Sequence, residues 1–159
     1  MGEMKMVKFS EGDIILREGE LNEEMYKIIN GHAEIYVDYG TKQESLLKIL
    51  GPQECFGEFG LLIHKPSIYT VVAYSEILLL KISEETFEEF IHNNHRVVAD
   101  IMRNMANTML TLRFQIGLLL DELESGRKPN DSTINNAKNL MRKYSIYSSI
   151  DEAVNKMKQ

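Results

Sequence analysis

The chain has 159 residues, 43% apolar and 26% charged, which suits one globular domain with a short appendage and excludes a large multidomain machine, a disordered polymer or a fibrous repeat. Its net charge of −6 disfavours a general nucleic-acid binder, but the charge is uneven: residues 1–124 hold 11 Lys and Arg against 21 Asp and Glu, or −10, and residues 125–159 hold 7 against 3, or +4. No apolar run approaches the ~20 residues that span a bilayer. The N-terminus lacks the apolar core and cleavage site of a secretory leader, and the single cysteine, Cys55, rules out an internal disulfide and suits a reducing compartment, so the expected location is the cytoplasm.

From Val7 to Ile82, short β-rich runs alternate with turn residues, the pattern of an antiparallel sandwich or barrel. Strands are predicted over Ile14–Leu16, Met25–Ile29, Ala33–Tyr39, Ser45–Leu50, Tyr69–Ala73 and Glu76–Ile82, separated by Glu11-Gly12-Asp13, Glu18-Gly19-Glu20, Asn30-Gly31 and Gly51-Pro52. Asn30-Gly31 carries the strongest hairpin signal. After Ile82 the period changes, with Ser83 as helix N-cap, an acidic first turn and Phe87, Phe90 and Ile91 at helical spacing. That helix breaks near Asn93-Asn94, and a long helix is predicted over Val97–Glu124.

Within the long helix Val98, Met102, Met105, Met109, Leu112, Ile116, Leu119 and Leu123 recur at alternating steps of four and three, a heptad seam of the coiled-coil type. Eight such side chains are worth at most about 12–24 kcal/mol on burial, against an association cost of about 4–15 kcal/mol. A homodimer through these residues is therefore expected. A second stripe at Ile101, Phe114, Leu118 and Leu120 is available to meet the β-rich body. Ser125-Gly126-Arg127-Lys128-Pro129-Asn130 then forms a linker. Two short helices are predicted beyond it, one through Ile134, Ala137, Leu140, Met141 and Tyr144, the other capped by Ser149 and Glu152 before Ala153, Val154 and Met157.

Chemistry concentrates in Phe56-Gly57-Glu58-Phe59-Gly60-Leu61-Leu62 and in Pro66-Ser67-Ile68-Tyr69-Thr70. Gly57 and Gly60 allow the backbone to approach a ligand and aim free amides at an anion, while Glu58 can accept from a neighbouring sugar hydroxyl. Taken alone the spacing is a weak signal, equally compatible with a plain turn whose Phe56, Phe59, Leu61 and Leu62 are core.

The succession FSEGDIILREGELNEEMYKIINGHAEIY, LLKILGPQECFGEFGLL and FIHNNHRVVADIMRNM resembles the cyclic-nucleotide-binding domain family, over about residues 7 to 124. This family includes catabolite-activator-type bacterial regulators and kinase regulatory subunits. The resemblance implies a mainly β fold with α, a jelly-roll-like β-roll and a C-terminal helix that lids the pocket or dimerises; joined to the reading of the residues, this divides the chain into a β-roll over 1–96, a long dimerisation helix over 97–124 and a short basic helical tail over 125–159. It further implies cAMP or cGMP as ligand, held at a phosphate-binding cassette by Phe56, Gly57, Glu58, Phe59, Gly60 and Leu61, with Ser67, Ile68, Tyr69 and Thr70 at its exit. Gly57 and Gly60 would give amides to the cyclic phosphate and Glu58 would bond the ribose 2'-hydroxyl. Where the family has Pro-Arg this chain has Pro66-Ser67; losing a charge-assisted hydrogen bond of about 1.5–3 kcal/mol weakens binding about tenfold to more than a hundredfold. His64 and Lys65 are the nearby cations to examine as compensation.

No motif for a catalytic nucleophile or a Walker-type phosphate loop occurs, so no enzyme and no catalytic residue is expected. His92 and His95 lack further ligands for a metal, and Cys55 reads as a half-buried thiol rather than a nucleophile. The methionines read as packing. The resemblance also leads one to expect a winged helix-turn-helix after the long helix. The remaining residues are too few for one, although Lys138, Arg142, Lys143, Lys156 and Lys158 supply charge for phosphate contacts. The expected function is a signal-transducing sensor that reports through its dimer helix, with DNA contact by the basic tail, or a scaffold that binds no ligand, as the alternatives.

Overall fold

The computed structural model describes residues 3–126 and 128–143, with only the backbone of 138–143. Among these residues there are eight strands: β1 (Lys5–Phe9), β2 (Ile14–Leu16), β3 (Met25–Asn30), β4 (Ala33–Val37), β5 (Ser45–Leu50), β6 (Cys55–Phe56), β7 (Thr70–Ala73) and β8 (Ile77–Ile82). The helices are α1 (Glu58–Ile63), α2 (Glu84–Asn93), α3 (His95–Glu124) and α4 (Asp131–Lys143). The strands form two antiparallel four-stranded sheets, ordered β1-β8-β3-β6 and β2-β7-β4-β5, a jelly-roll-like arrangement followed by helices. Residues up to Ile101 make one compact unit and those from Met102 onward another.

The inner faces of the two sheets meet in a cluster containing Leu16, Tyr26, Ile28, Ile35, Phe56, Val71 and Leu79, all buried. The outer face of the β1-β8-β3-β6 sheet carries a second cluster, in which Met25, Leu61, Ile82 and Phe90 are buried and Phe87, Val97, Val98 and Ile101 pack against them. The β3 strand therefore has apolar neighbours on both faces, which explains why its sequence runs Met-Tyr-Lys-Ile-Ile instead of alternating apolar with polar residues. Each large side chain in these clusters contributes about 1.5–3 kcal/mol by leaving water.

Several expectations are corrected here. Asn30-Gly31 is not a hairpin turn: β3 pairs with β6 and β8, β4 pairs with β5 and β7, and Gly31, at φ +88°, turns the chain from one sheet to the other. A Cβ on Gly31 would lie 2.9 Å from the Ile77 Cα, so the corner needs glycine for space as well as for its left-handed backbone. Strand β1, absent from the prediction, forms because Lys5–Phe9 pairs residue for residue with Ile77–Lys81. Strand β4 ends at Val37, two residues short of the predicted limit, and Asp38 bends away with φ +55°.

Ser83 caps α2 in a reciprocal box with Thr86, and the chain breaks for one residue at Asn94, so α3 begins two residues before the expected Val97. No residue of α3 is buried. Met102 and Met109 are each 66% exposed, Ile116 56% and Leu123 54%. Of the second stripe, Ile101 packs against the second cluster, and Phe114, Leu118 and Leu120 are exposed. At the start of α4 the Glu122 carboxylate accepts from the Asn130 side-chain amide at 3.0 Å and from the Thr133 hydroxyl at 2.9 Å. The second predicted tail helix, with Lys156 and Lys158, lies outside the described residues, as do the side chains of Lys138, Arg142 and Lys143.

Candidate functional site

Strand β6 ends at Phe56, whose fully buried ring stacks on Tyr26 with centroids 5.4 Å apart. The chain then turns through Gly57, at φ +88°, directly into α1. Two glycines are needed here because the β2–β3 connection passes against both. A Cβ on Gly57 would lie 2.7 Å from the Glu24 carbonyl oxygen, and one on Gly60 would collide with the Asn22 carbonyl. Helix α1 places Phe59 against the inter-sheet core and Leu61 in the second cluster beside Phe90. It ends at His64, in left-handed conformation at φ 50°.

The exit segment is tied to the same connection. The Ser67 N–H donates to the Glu20 carbonyl at 2.9 Å, the Gly19 N–H donates to the Ser67 carbonyl at 2.8 Å, and the Glu18 N–H donates to the Thr70 hydroxyl at 3.1 Å. Ser67 is buried, and its hydroxyl donates to the Tyr69 carbonyl at 2.6 Å. Ile68 packs on the inter-sheet core, and Thr70 is buried at the start of β7. Tyr69 points inward: its hydroxyl accepts from the Gly57 N–H at 3.1 Å and donates to the Glu58 carboxylate at 3.1 Å. Of the ten residues singled out in the sequence, Gly57, Glu58 and Tyr69 meet at the bend and Ser67 and Thr70 anchor its exit, whereas Phe56, Phe59 and Ile68 serve the inter-sheet core, Gly60 lies against Asn22 and Leu61 belongs to the second cluster.

The electrostatics follow from burial. Removal from water pushes the Glu58 carboxyl above its usual 4.5, opposed by hydrogen bonds from its own backbone and from Tyr69. The Tyr69 hydroxyl is raised well above its ordinary value, first by burial and then by the Glu58 charge. A carboxyl whose pKa is raised on folding holds its proton more tightly in the folded chain. Its contribution to stability therefore grows as pH falls through the window above 4.5 and fades toward neutrality. We expect the melting temperature of the wild-type chain, relative to Glu58→Gln, to rise between about pH 7 and about pH 5; a pH-independent difference would contradict this assignment. Cys55, in β6, is pushed up to about 12, chiefly by burial.

A cyclic nucleotide offers a phosphate anion and a ribose hydroxyl, and these side chains do not fit it as they stand. The Gly57 amide is engaged by Tyr69, and Glu58 already has a hydroxyl donor. The hollow bounded by Leu16, Asn22, Gly57, Phe59, Gly60, Ser67 and Tyr69 has no room for a water molecule and no cation in its wall. His64 faces Glu23 instead, its Nδ1 3.7 Å from the carboxylate, and Lys65 is exposed. Among the described residues no group of three or more His, Cys, Asp or Glu is arranged to hold a metal. The rings of His92 and His95 meet edge-on at 5.8 Å.

Two features were not singled out in the sequence. The connection around Asn22 closes the bend, and its only signal was the pair of glycines it requires. Lys27, buried in β3, donates to the Asn94 side-chain oxygen at 2.7 Å and so ties the α2–α3 junction to the roll. A lysine in the middle of an apolar strand was the available sign of it.

A two-sheet antiparallel roll with a glycine-flanked bend between a strand and a short helix, followed by helices, is the fold of a cyclic-nucleotide-binding-type domain. The chain belongs to the cyclic nucleotide-binding domain family, whose model matches residues 6–94. It is 28% identical over 100 residues to a cAMP-dependent protein kinase regulatory subunit of Blastocladiella emersonii, a match covering 63% of this chain and 24% of that protein. It is 23% identical over 107 residues to a CRP-like cAMP-activated global transcriptional regulator of Mycobacterium tuberculosis, covering 67% of this chain and 48% of that protein. The catabolite activator protein of Thermus thermophilus shares the fold, with a TM-score of 0.53 at 19% identity, across 90% of this chain and 80% of that structure. The chain thus spans about a quarter of the first of these curated relatives and about half of the second. Among the described residues no helix is long and apolar enough to cross a membrane.

Proposed function

We propose that this chain is a cytoplasmic, non-catalytic regulatory module that couples the state of its cassette to a self-associating stem helix. The observation that carries this reading is the second apolar cluster, in which Leu61 of the cassette helix and Phe90 of α2 are packed with Val97, Val98 and Ile101 at the start of α3. A shift of α1 must repack that cluster and is felt at once by the stem, because close-packed interiors transmit small displacements. Further along, the heptad positions Met102, Met105, Met109, Ile116 and Leu123 present apolar surface to solvent. A long helix with no buried residue draws little support from its own chain. The 3.5-residue period of the stripe matches an equivalent stripe on a second copy, with Leu112 and Leu119 completing the seam, whereas Val98, expected in the seam, packs in the second cluster of its own chain.

Sedimentation equilibrium tests this directly. The wild-type chain is expected to be a dimer, and Ile116→Asp, which puts a charge into the seam, to weaken association about tenfold or more. A wild-type monomer at high micromolar concentration would end the reading. A second reading, DNA contact through the tail, is favoured by the +4 charge of residues 125–159. Salt-sensitive binding to random duplex that disappears on deleting those residues would support it.

A further inference from the structure

We infer that Tyr69 is a built-in occupant of the cassette, whose side chain takes the two groups an external nucleotide would need and so makes the wild-type chain blind to cyclic nucleotides. The inference builds on the regulatory reading above and concerns the input at that same site. The chemistry of recognition is simple. An anion in this bend needs the Gly57 N–H, and a hydroxyl beside it needs the Glu58 carboxylate. The Tyr69 hydroxyl meets both demands at once, accepting from Gly57 at 3.1 Å and donating to Glu58 at 3.1 Å. Its body belongs to the inter-sheet cluster with Leu16, Tyr26 and Phe56, and the residue is 7% exposed.

The tyrosine is held in place from both sides of the backbone. The Ser67 hydroxyl donates to the Tyr69 carbonyl at 2.6 Å and accepts from the Tyr69 N–H at 3.4 Å. Ser67 itself is pinned by backbone bonds to Gly19 and Glu20. The position at which the family's arginine would neutralise a phosphate is therefore used here to orient the tyrosine. A dianionic or monoanionic guest would have to expel a buried ring, find no cation in the wall, and sit beside the Glu58 carboxylate. Each of these opposes binding. The consequence is a cassette whose hydrogen bonds are completed internally, so that the geometry passed to α2 and α3 is set without a nucleotide.

The test titrates the full chain with cAMP and with cGMP by calorimetry and thermal shift, using wild type, Tyr69→Ala, and Tyr69→Ala combined with Ser67→Arg. Wild type is expected to give neither heat nor stabilisation. The double variant is expected to bind saturably, about tenfold or more tighter than Tyr69→Ala alone, because it regains a charge-assisted bond. Saturable binding by wild type would overturn the inference, and so would a folded double variant that stays inert. Should that variant not fold, Tyr69→Phe keeps the ring and removes only the hydroxyl. Exchange of the Gly57 amide, followed by NMR, should then be about tenfold or more faster than in wild type; equal protection would overturn the inference equally. Sedimentation of the same proteins separates the two readings, since a monomeric wild type strikes the stem proposal and leaves the role of Tyr69 to the titrations.

Discussion

Phe90→Ala is expected to destabilise the chain by about 3–5 kcal/mol, the range for truncating a buried phenylalanine. Phe90 is fully buried among Met25, Leu61 and Ile82, so the methyl that remains would leave a cavity bounded by β3, α1 and β8. A domain of this size holds about 5–15 kcal/mol in all, and each lost kilocalorie lowers the melting temperature by about 2–4 °C; the fall should therefore be about 6–20 °C. The same cavity removes the wedge between the cassette helix and the first turns of the stem. Amide exchange should accordingly accelerate in both α1 and residues 95–101 of α3. Acceleration in α2 alone would mean that Phe90 merely anchors its own helix, and the coupling argued from this cluster would fail.

Gly60→Ala comes second, and two opposing effects decide its sign. Alanine is the better helix former by about 0.8–1 kcal/mol, and Gly60 lies within α1. Its Cβ, however, would run into the Asn22 carbonyl, which is backbone and cannot rotate away. Overpacking of that kind costs about 3 kcal/mol at the upper end of its usual range, so the net change is a loss of about 2 kcal/mol. Gly117→Ala supplies the control. No atom approaches its added Cβ within 4 Å, and it should stabilise α3 by up to about 1 kcal/mol. Chemical denaturation of both variants reads the contrast, and stabilisation by Gly60→Ala would mean that the Asn22 connection does not press on the bend.

The legible part of the molecule was the part governed by local pattern. Alternating strands, glycine turns, the Ser83 cap and the heptad of α3 each leave a periodic or positional trace, and the glycine pair around Glu58 marked the bend between β6 and α1. What escaped depends on long-range pairing. Lys5–Phe9 reads as a mixed polar segment and becomes a strand only because β8 is there to pair with it. Asn30-Gly31 has the composition of a hairpin turn, yet the sheets on either side decide that it is a corner. Tyr69 was expected at the cassette exit, but no one-dimensional pattern tells whether a tyrosine near a β-strand start faces solvent or the bend. That direction is fixed by Ser67 and by the Glu18–Glu20 segment, nearly fifty residues earlier in the chain.

The state of Cys55 has a practical corollary. As the sole cysteine, mostly buried and with its thiol pushed up to about 12, it carries almost no thiolate near neutral pH and should resist alkylating reagents in the native protein. A cysteine introduced on the exposed side of α3 would then be the only position to accept a spin label or fluorophore, without first mutating the natural one. Distances between two such labels, measured in solution, would report how far apart the stems of two associated copies stand.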